Sequence, residues 1–173
     1  MKTLEQIGIH AVKEHILKNW MTHDGMWFFH SLQAHGVDEA NRLNKAAIRS
    51  LAAIELKRAQ SLFGLTTEGV DTFDDLRDLV DAAFSVSKGD FMRFTYTFPE
   101  KNVLRWEWDG SGCFAYQGMQ RMGAIDRYEC GVLFRVLCWI ESAGVRYAPD
   151  RELKGCRMHM EGRCAGEVRF FFP

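Results

Sequence analysis

The chain has 173 residues, with 22 basic and 23 acidic side chains and a formal net charge of −1. That balance argues against a nucleic-acid-binding surface built on phosphate neutralisation, and no apolar run approaches the ~20 residues of a membrane span. A hydrophobic content of 47% and an aromatic content of 13% fit a folded domain rather than a disordered chain.

The expected organisation is a single domain, 1–173, with a helical half over 1–88 and a hairpin–helix–helix–hairpin half over 89–173. The N-terminus, Met1 to Gln6, lacks the apolar core of a secretory signal, so the expected location is the cytoplasm. Five cysteines is an odd count in a chain large enough to form a core without staples. Reduced thiols are therefore expected rather than a disulfide framework.

Thr3 is placed to cap a first helix that runs to His35-Gly36. Ile9, Val12, Ile16, Trp20, His23, Trp27 and His30 recur at helical spacing and define its expected stripe. Gly25 in its middle suggests a kink or the close approach of another segment. A second helix spans Glu39 to Phe63, with Leu43, Ala47, Leu51, Ile54, Arg58 and Leu62 along one face. The short connection makes the two helices antiparallel neighbours. Thr66 to Asp71 is read as a loop. A third helix follows over Phe73 to Phe84, burying Phe73, Leu76, Val80 and Phe84. Asp74, Asp75 and Asp78 fall in its early turns, on a solvated face where the helix dipole favours them.

The period then changes to two. Met92, Phe94, Tyr96 and Phe98 alternate with polar residues, Pro99 to Asn102 form a turn, and Leu104, Trp106 and Trp108 alternate again. This is a β-hairpin. Asp109 to Gly112 break the strand, and helices are expected over Cys113 to Met122 and Arg127 to Ala143. Val145 to Tyr147 is a short extended piece. A second hairpin is expected from Cys156, Met158 and Met160, a turn at Glu161-Gly162, and Cys164 to Phe172. The fold class is α+β: a helical N-terminal half packed with a four-stranded antiparallel sheet of two hairpins separated by helices.

The stretch Asn19 to His30 sets two histidines and an aspartate among aromatic rings. Polar groups so placed are costly unless paired or used. His23 and Asp24 are the candidate catalytic pair, with Trp20, Trp27 and His30 as ligand-binding companions and Cys113 or Cys130 as the thiol. Neighbours on a helix point about 100° apart, so Asp24 is poorly placed to orient His23. A zinc-ribbon pair, a Walker loop and a nucleophile-elbow motif are all missing from the sequence.

The run His23-Asp24-Gly25-Met26-Trp27-Phe28, the thiols Cys113 and Cys130, and the ending Cys156, Cys164 and Arg169-Phe170 resemble a family of small uncharacterised prokaryotic cytosolic proteins. The chain is more remotely similar to L-2-amino-thiazoline-4-carboxylate hydrolases and to 4-vinyl-reductase-type small-molecule-binding domains. The resemblance implies a pocket between helices and sheet with cysteine-bearing hairpins beside it.

The expected function is cytosolic small-molecule binding, extending to hydrolysis of a small cyclic amide or thiazoline. Its pocket would be lined by His23, Asp24, Trp27, Cys113 and Cys130. The alternative is a non-enzymatic metal- or redox-sensing protein that uses Cys113, Cys130, Cys156 and Cys164, with zinc or iron as the cofactor. A third expectation is a homodimer module with Trp106 or Trp108 in its interface.

Overall fold

The computed structural model of the protein describes residues 1–65, 69–110 and 112–173. The loop read over 66–71 and the strand break over 109–112 therefore lie partly outside the described residues. The chain opens with α1 (Leu4–Ile7), capped by Thr3 in a reciprocal box with Gln6. Gly8 separates it from α2 (Ile9–His35), and Gly36 alone joins α2 to α3 (Val37–Phe63). Gly36 has φ 82° and ψ 171°, a conformation essentially restricted to glycine, which turns the chain back within one residue.

The buried faces of α2 and α3 are not the expected ones. Leu17 and Phe28 are the buried side chains of α2, with Met21 and Leu32 packed against the core. Ile9, Ile16 and Trp27 from the expected stripe are exposed. In α3 the buried set is Ala40, Asn41, Ala52, Leu56 and Ala59, while Leu43, Ile54 and Leu62 face solvent. Small alanines let α3 lie close to its neighbours.

In α4 (Phe73–Ser87) the expected face holds: Leu76, Val80 and Phe84 are buried and Phe73 is half-buried. Thr72 and Asp75 form its capping box. The first hairpin is β1 (Phe94–Thr97) and β2 (Val103–Trp108), in register Tyr96↔Trp106. After α5 (Phe114–Arg121) the chain makes a single 3₁₀ turn, Ile125–Arg127, before α6 (Gly131–Ser142). The helix expected from Arg127 thus starts later. Asn41 of α3 explains this, accepting from the Glu129 N–H and donating to the Arg127 carbonyl, so these groups leave the helical ladder.

The second hairpin is corrected. Arg157–Glu161 is a short helix, α7, ended by Gly162 in the left-handed region. The partner of β4 (Ala165–Phe171) is instead β3 (Arg146–Pro149), in register Tyr147↔Phe170. The sheet order is β1-β2-β4-β3, all pairs antiparallel. Pro149 is tolerated because β3 is an edge strand.

Leu104, Trp106, Trp108, Val168 and Phe170 turn into the core, while Arg105 and Glu167 face each other as an ion pair on the other side. Phe84 seats α4 on this apolar face, 4.6 Å from the Tyr96 ring and 5.4 Å from Trp139 of α6. Phe73 does the same further along, 5.7 Å from Phe98. Trp106 and Trp108 are 7% and 5% exposed, so neither is available as a dimer surface.

Behind Trp106 lies the buried guanidinium of Arg157, 5.2 Å from the ring centroid. A Cβ on Gly166 would stand 2.7 Å from the Trp106 ring and also clash with Arg157 Nη1. Gly166→Ala is therefore expected to destabilise the fold by about 3 kcal/mol or more, the upper end of overpacking, because two stacked groups must give way. Chemical denaturation checks this. A loss below about 0.5 kcal/mol, the scale of an ordinary surface change, would show that the stack is loose.

Candidate functional site

Between α2, α4, α5, α6 and the sheet lies a cavity of about 480 Å³. Its walls are Met21, Gly25 and Phe28 from α2, Phe84 from α4, Phe94, Tyr96, Trp106 and Trp108 from the first hairpin, and Met119 and Leu133 from α5 and α6. The alternation of β1 and β2 supplies the aromatic wall, since residues two apart share one face. The polar groups on the lining include Asp24, Asn44 and Arg135, with Lys18, Lys88 and Arg121 as further cations.

Gly25 and Gly118 both border this space, and a Cβ on either would meet nothing within 4 Å. The kink or close approach expected at Gly25 is not observed. The helix runs through it, and its missing side chain leaves room in the wall.

Arg135 is the best-anchored polar group. Its guanidinium forms a two-pronged pair with Glu55 of α3, with Nε 2.9 Å from Oε2, and lies 4.3 Å from the Trp20 ring centroid. Trp139 Nε1 donates to the same carboxylate at 2.9 Å. Asp24 sits nearby. Partial burial raises its carboxyl above the ordinary range, opposed by the charges of Arg135 and His23.

The predicted site residues separate. Asp24 borders the cavity with its side chain still 52% exposed. His23 and Trp27 lie on the solvent face, where Trp27 Nε1 donates to His23 Nε2 at 3.1 Å. His30 is exposed beside the Phe29 ring, and Trp20 serves as the platform under Arg135. Cys113 and Cys130 are not on the cavity lining. His23 is 3.9 Å from an Asp24 oxygen, too far for a hydrogen bond, which agrees with the angular argument from helix geometry. The residues that sequence reasoning missed are Met21, Phe28 and Arg135. Leu17, Met21, Phe28 and Leu32 have helical spacing too, and were the signal to weigh.

Residues 3–82 match the model of a family of unknown function, DUF6125. The DUF6125 match spans α1 to α3 and most of α4, and so includes Asp24, Gly25 and Phe28. The sheet and all the cysteines lie beyond it. No curated protein and no solved structure matches the chain.

All five cysteines are free thiols. Burial pushes the Cys130 and Cys164 thiols up to about 12 and raises Cys113, Cys138 and Cys156 as well. Such thiols are poor nucleophiles. Among the described residues no helix is long and apolar enough to cross a membrane.

Arg157, 4% exposed, is held by Asp150, with Nη2 2.8 Å from Oδ1. Burial acts to raise the Asp150 carboxyl, but hydrogen bonds and charge from Arg157 and Arg151 outweigh it and hold the group below its ordinary value. A depressed carboxylate stabilises the fold fully above its unfolded value of about 3.9, and that stabilisation is lost as pH falls through the lower folded value. Wild type should therefore be more stable than Asp150→Asn at neutral pH, and the two should converge in strong acid. Denaturation curves across that range check this, and a gap that widened on acidification would refute it.

Proposed function

We propose that the protein binds an apolar, ring-bearing small molecule in the cavity between α2, α5, α6 and the sheet. The observation that carries this is the cavity itself: about 480 Å³, walled by aromatic, methionine and aliphatic side chains with a few polar groups among them. Ligand sites of this kind are mostly apolar, with a few polar groups that fix orientation. Asp24, Asn44 and Arg135 are the groups that would meet a polar end of the ligand. Met21, Met92 and Met119 are adaptable walls suited to a range of ring shapes.

Binding is favoured over turnover. A hydrolytic step on a cyclic amide or thiazoline asks for a nucleophile within hydrogen-bond reach of a base. His23 instead engages Trp27 on the outer face, and the raised thiols of Cys113 and Cys130 are off the lining. The cytosol remains the proposed location, and no nucleic-acid role is proposed for a chain of net charge −1.

Titration with the aromatic, sulfonate-bearing fluorophore 1-anilinonaphthalene-8-sulfonate tests this. Trp106, Trp108 and Trp139 border the cavity, so a bound fluorophore should quench tryptophan emission saturably and stoichiometrically. Weak, non-saturating enhancement would count against a formed site.

A further inference from the structure

The cavity lining is largely apolar, yet its charged members are mostly of one sign. Lys18, Lys88, Arg121 and Arg135 border it, against the carboxylate of Asp24 among the described residues. Arg135 is matched within the fold by Glu55. Among the described residues neither Lys88 nor Arg121 forms an ion pair. Lys18 has Glu14 at 3.8 Å, too far for a hydrogen bond, and the other oxygen of that carboxylate accepts the Asp90 N–H at 2.7 Å.

Lys18 and Lys88 share one built rim. The Asp90 hydrogen bond to Glu14 fastens α2 to the turn after α4, and so does Lys13, whose Nζ donates to the Ser85 carbonyl at 2.9 Å. Gly89 lets that turn close: a Cβ there would stand 2.6 Å from the Phe91 ring and 2.9 Å from Glu14 Oε1. Lys88 directly precedes Gly89, and Lys18 lies one helical turn beyond Glu14. Each ammonium stands over a ring of the cavity wall, Lys18 at 5.9 Å from the Phe91 centroid and Lys88 at 5.2 Å from that of Phe94. From there the aromatic wall leads inward, with Phe94 4.8 Å from Trp108 and Phe91 5.9 Å from Phe114. The negative end of α4 would by itself favour a cation nearby. Lys13 already meets it at the Ser85 carbonyl, whereas the half-buried Lys88 is drawn onto a cavity ring.

We propose that the ligand of this cavity is an amphipathic anion, with its ring-bearing body inside and one carboxylate-type group held at the rim by Lys18 and Lys88. This rests on the cavity being a binding site, and adds the ligand's charge and the end at which it lies. A carboxylate accepts charge-assisted hydrogen bonds from ammonium groups, while the attached body continues along the aromatic wall. Arg121, at the end of α5, adds to the positive field that draws anions to the site. Asp24 is about 9 Å further along α2 than Lys18, from the helical rise, so it is removed from the anionic end. It and Asn44 are left for uncharged polar groups of the body. A cationic ligand would be repelled by the lysine pair, and a neutral one would leave both ammonium groups unmatched.

The test compares two fluorophores on the full chain. N-phenyl-1-naphthylamine has the rings of 1-anilinonaphthalene-8-sulfonate without the sulfonate, which stands in for the carboxylate. Lys88→Gln should weaken the sulfonate probe about 10-fold, the scale of one charge-assisted contact, and Lys18→Gln with Lys88→Gln should weaken it further. The neutral probe should change less than about two-fold in both, below the effect of one such contact. Lys88→Arg should restore much of the sulfonate affinity, and Arg58→Gln, on α3 away from the lining, should change neither probe. Salt gives a measurement on wild type alone: between about 0.05 M and about 0.5 M, the sulfonate probe should weaken relative to the neutral one. If both probes bind and the lysine variants or salt affect them equally, the anionic ligand is overturned while the cavity stands. If neither binds, the cavity reading and this inference fall together.

Discussion

Glu55→Ala should destabilise the protein by about 3 kcal/mol, the low end of the cost of breaking a buried ion pair from one side, since this pair is partly buried. Both Arg135 and Glu55 side chains are only 16% exposed, and the carboxylate also accepts from Trp139 Nε1. Its removal strands a cation and an indole N–H between α3 and α6. For a chain of this size the loss corresponds to a fall in Tm of roughly 10 °C. The cost belongs to the orphaned partner rather than to the pair. The double variant Glu55→Met with Arg135→Met should therefore recover much of the stability. If the single and double variants were equally unstable, packing around these side chains, not charge, would be what matters.

Filling the cavity should separate stability from binding. Gly118 is inside α5 and Gly25 inside α2, both beside the cavity with open space where a side chain would begin. Gly118→Leu should leave stability unchanged or raise it by up to about 1 kcal/mol, because leucine is the better helix former. The same side chain enters the ligand space, so fluorophore affinity should fall at least ~10-fold, about 1.4 kcal/mol. Gly25→Leu tests the opposite wall with the same expectation. Retained affinity in both variants would place the probe outside the cavity.

Parts of the fold were legible because one physical signal dominated. In α4, Leu76, Val80 and Phe84 form a single apolar stripe behind a capping box, and they are buried as read. The first hairpin had strict alternation over Phe94–Tyr96 and Trp106–Trp108 with Pro99 in the turn, and it has the expected strands. In α2 two apolar stripes compete. Ile9, Ile16 and Trp27 recur at helical spacing, and so do Leu17, Met21, Phe28 and Leu32, so periodicity alone does not select the face. The choice is made by α3 and the core, which are distant in sequence.

The second hairpin failed for a related reason. A short alternation such as Cys156, Met158 and Met160 is compatible with one helical turn, and Gly162 caps that turn. The displaced partner strand, β3, is only Arg146–Pro149, with a burial pattern too weak to stand out. The candidate site followed the error in α2. Asp24 does border the cavity, and an aspartate among aromatic side chains stands out at any angle. His23, Trp27 and His30 followed the wrong stripe outward. Arg135 was missed because its partner Glu55 lies on another helix, and no local pattern records that contact.

The proposed apolar ligand would occupy the space between α2, α5, α6 and the sheet. A crystal structure of the wild-type protein under xenon pressure tests it most directly, since xenon enters dry apolar cavities. Xenon density is expected in a space bounded by Phe28, Phe84, Trp106, Trp108 and Met119. Side chains closing that space, with no xenon inside it, would contradict a preformed apolar site.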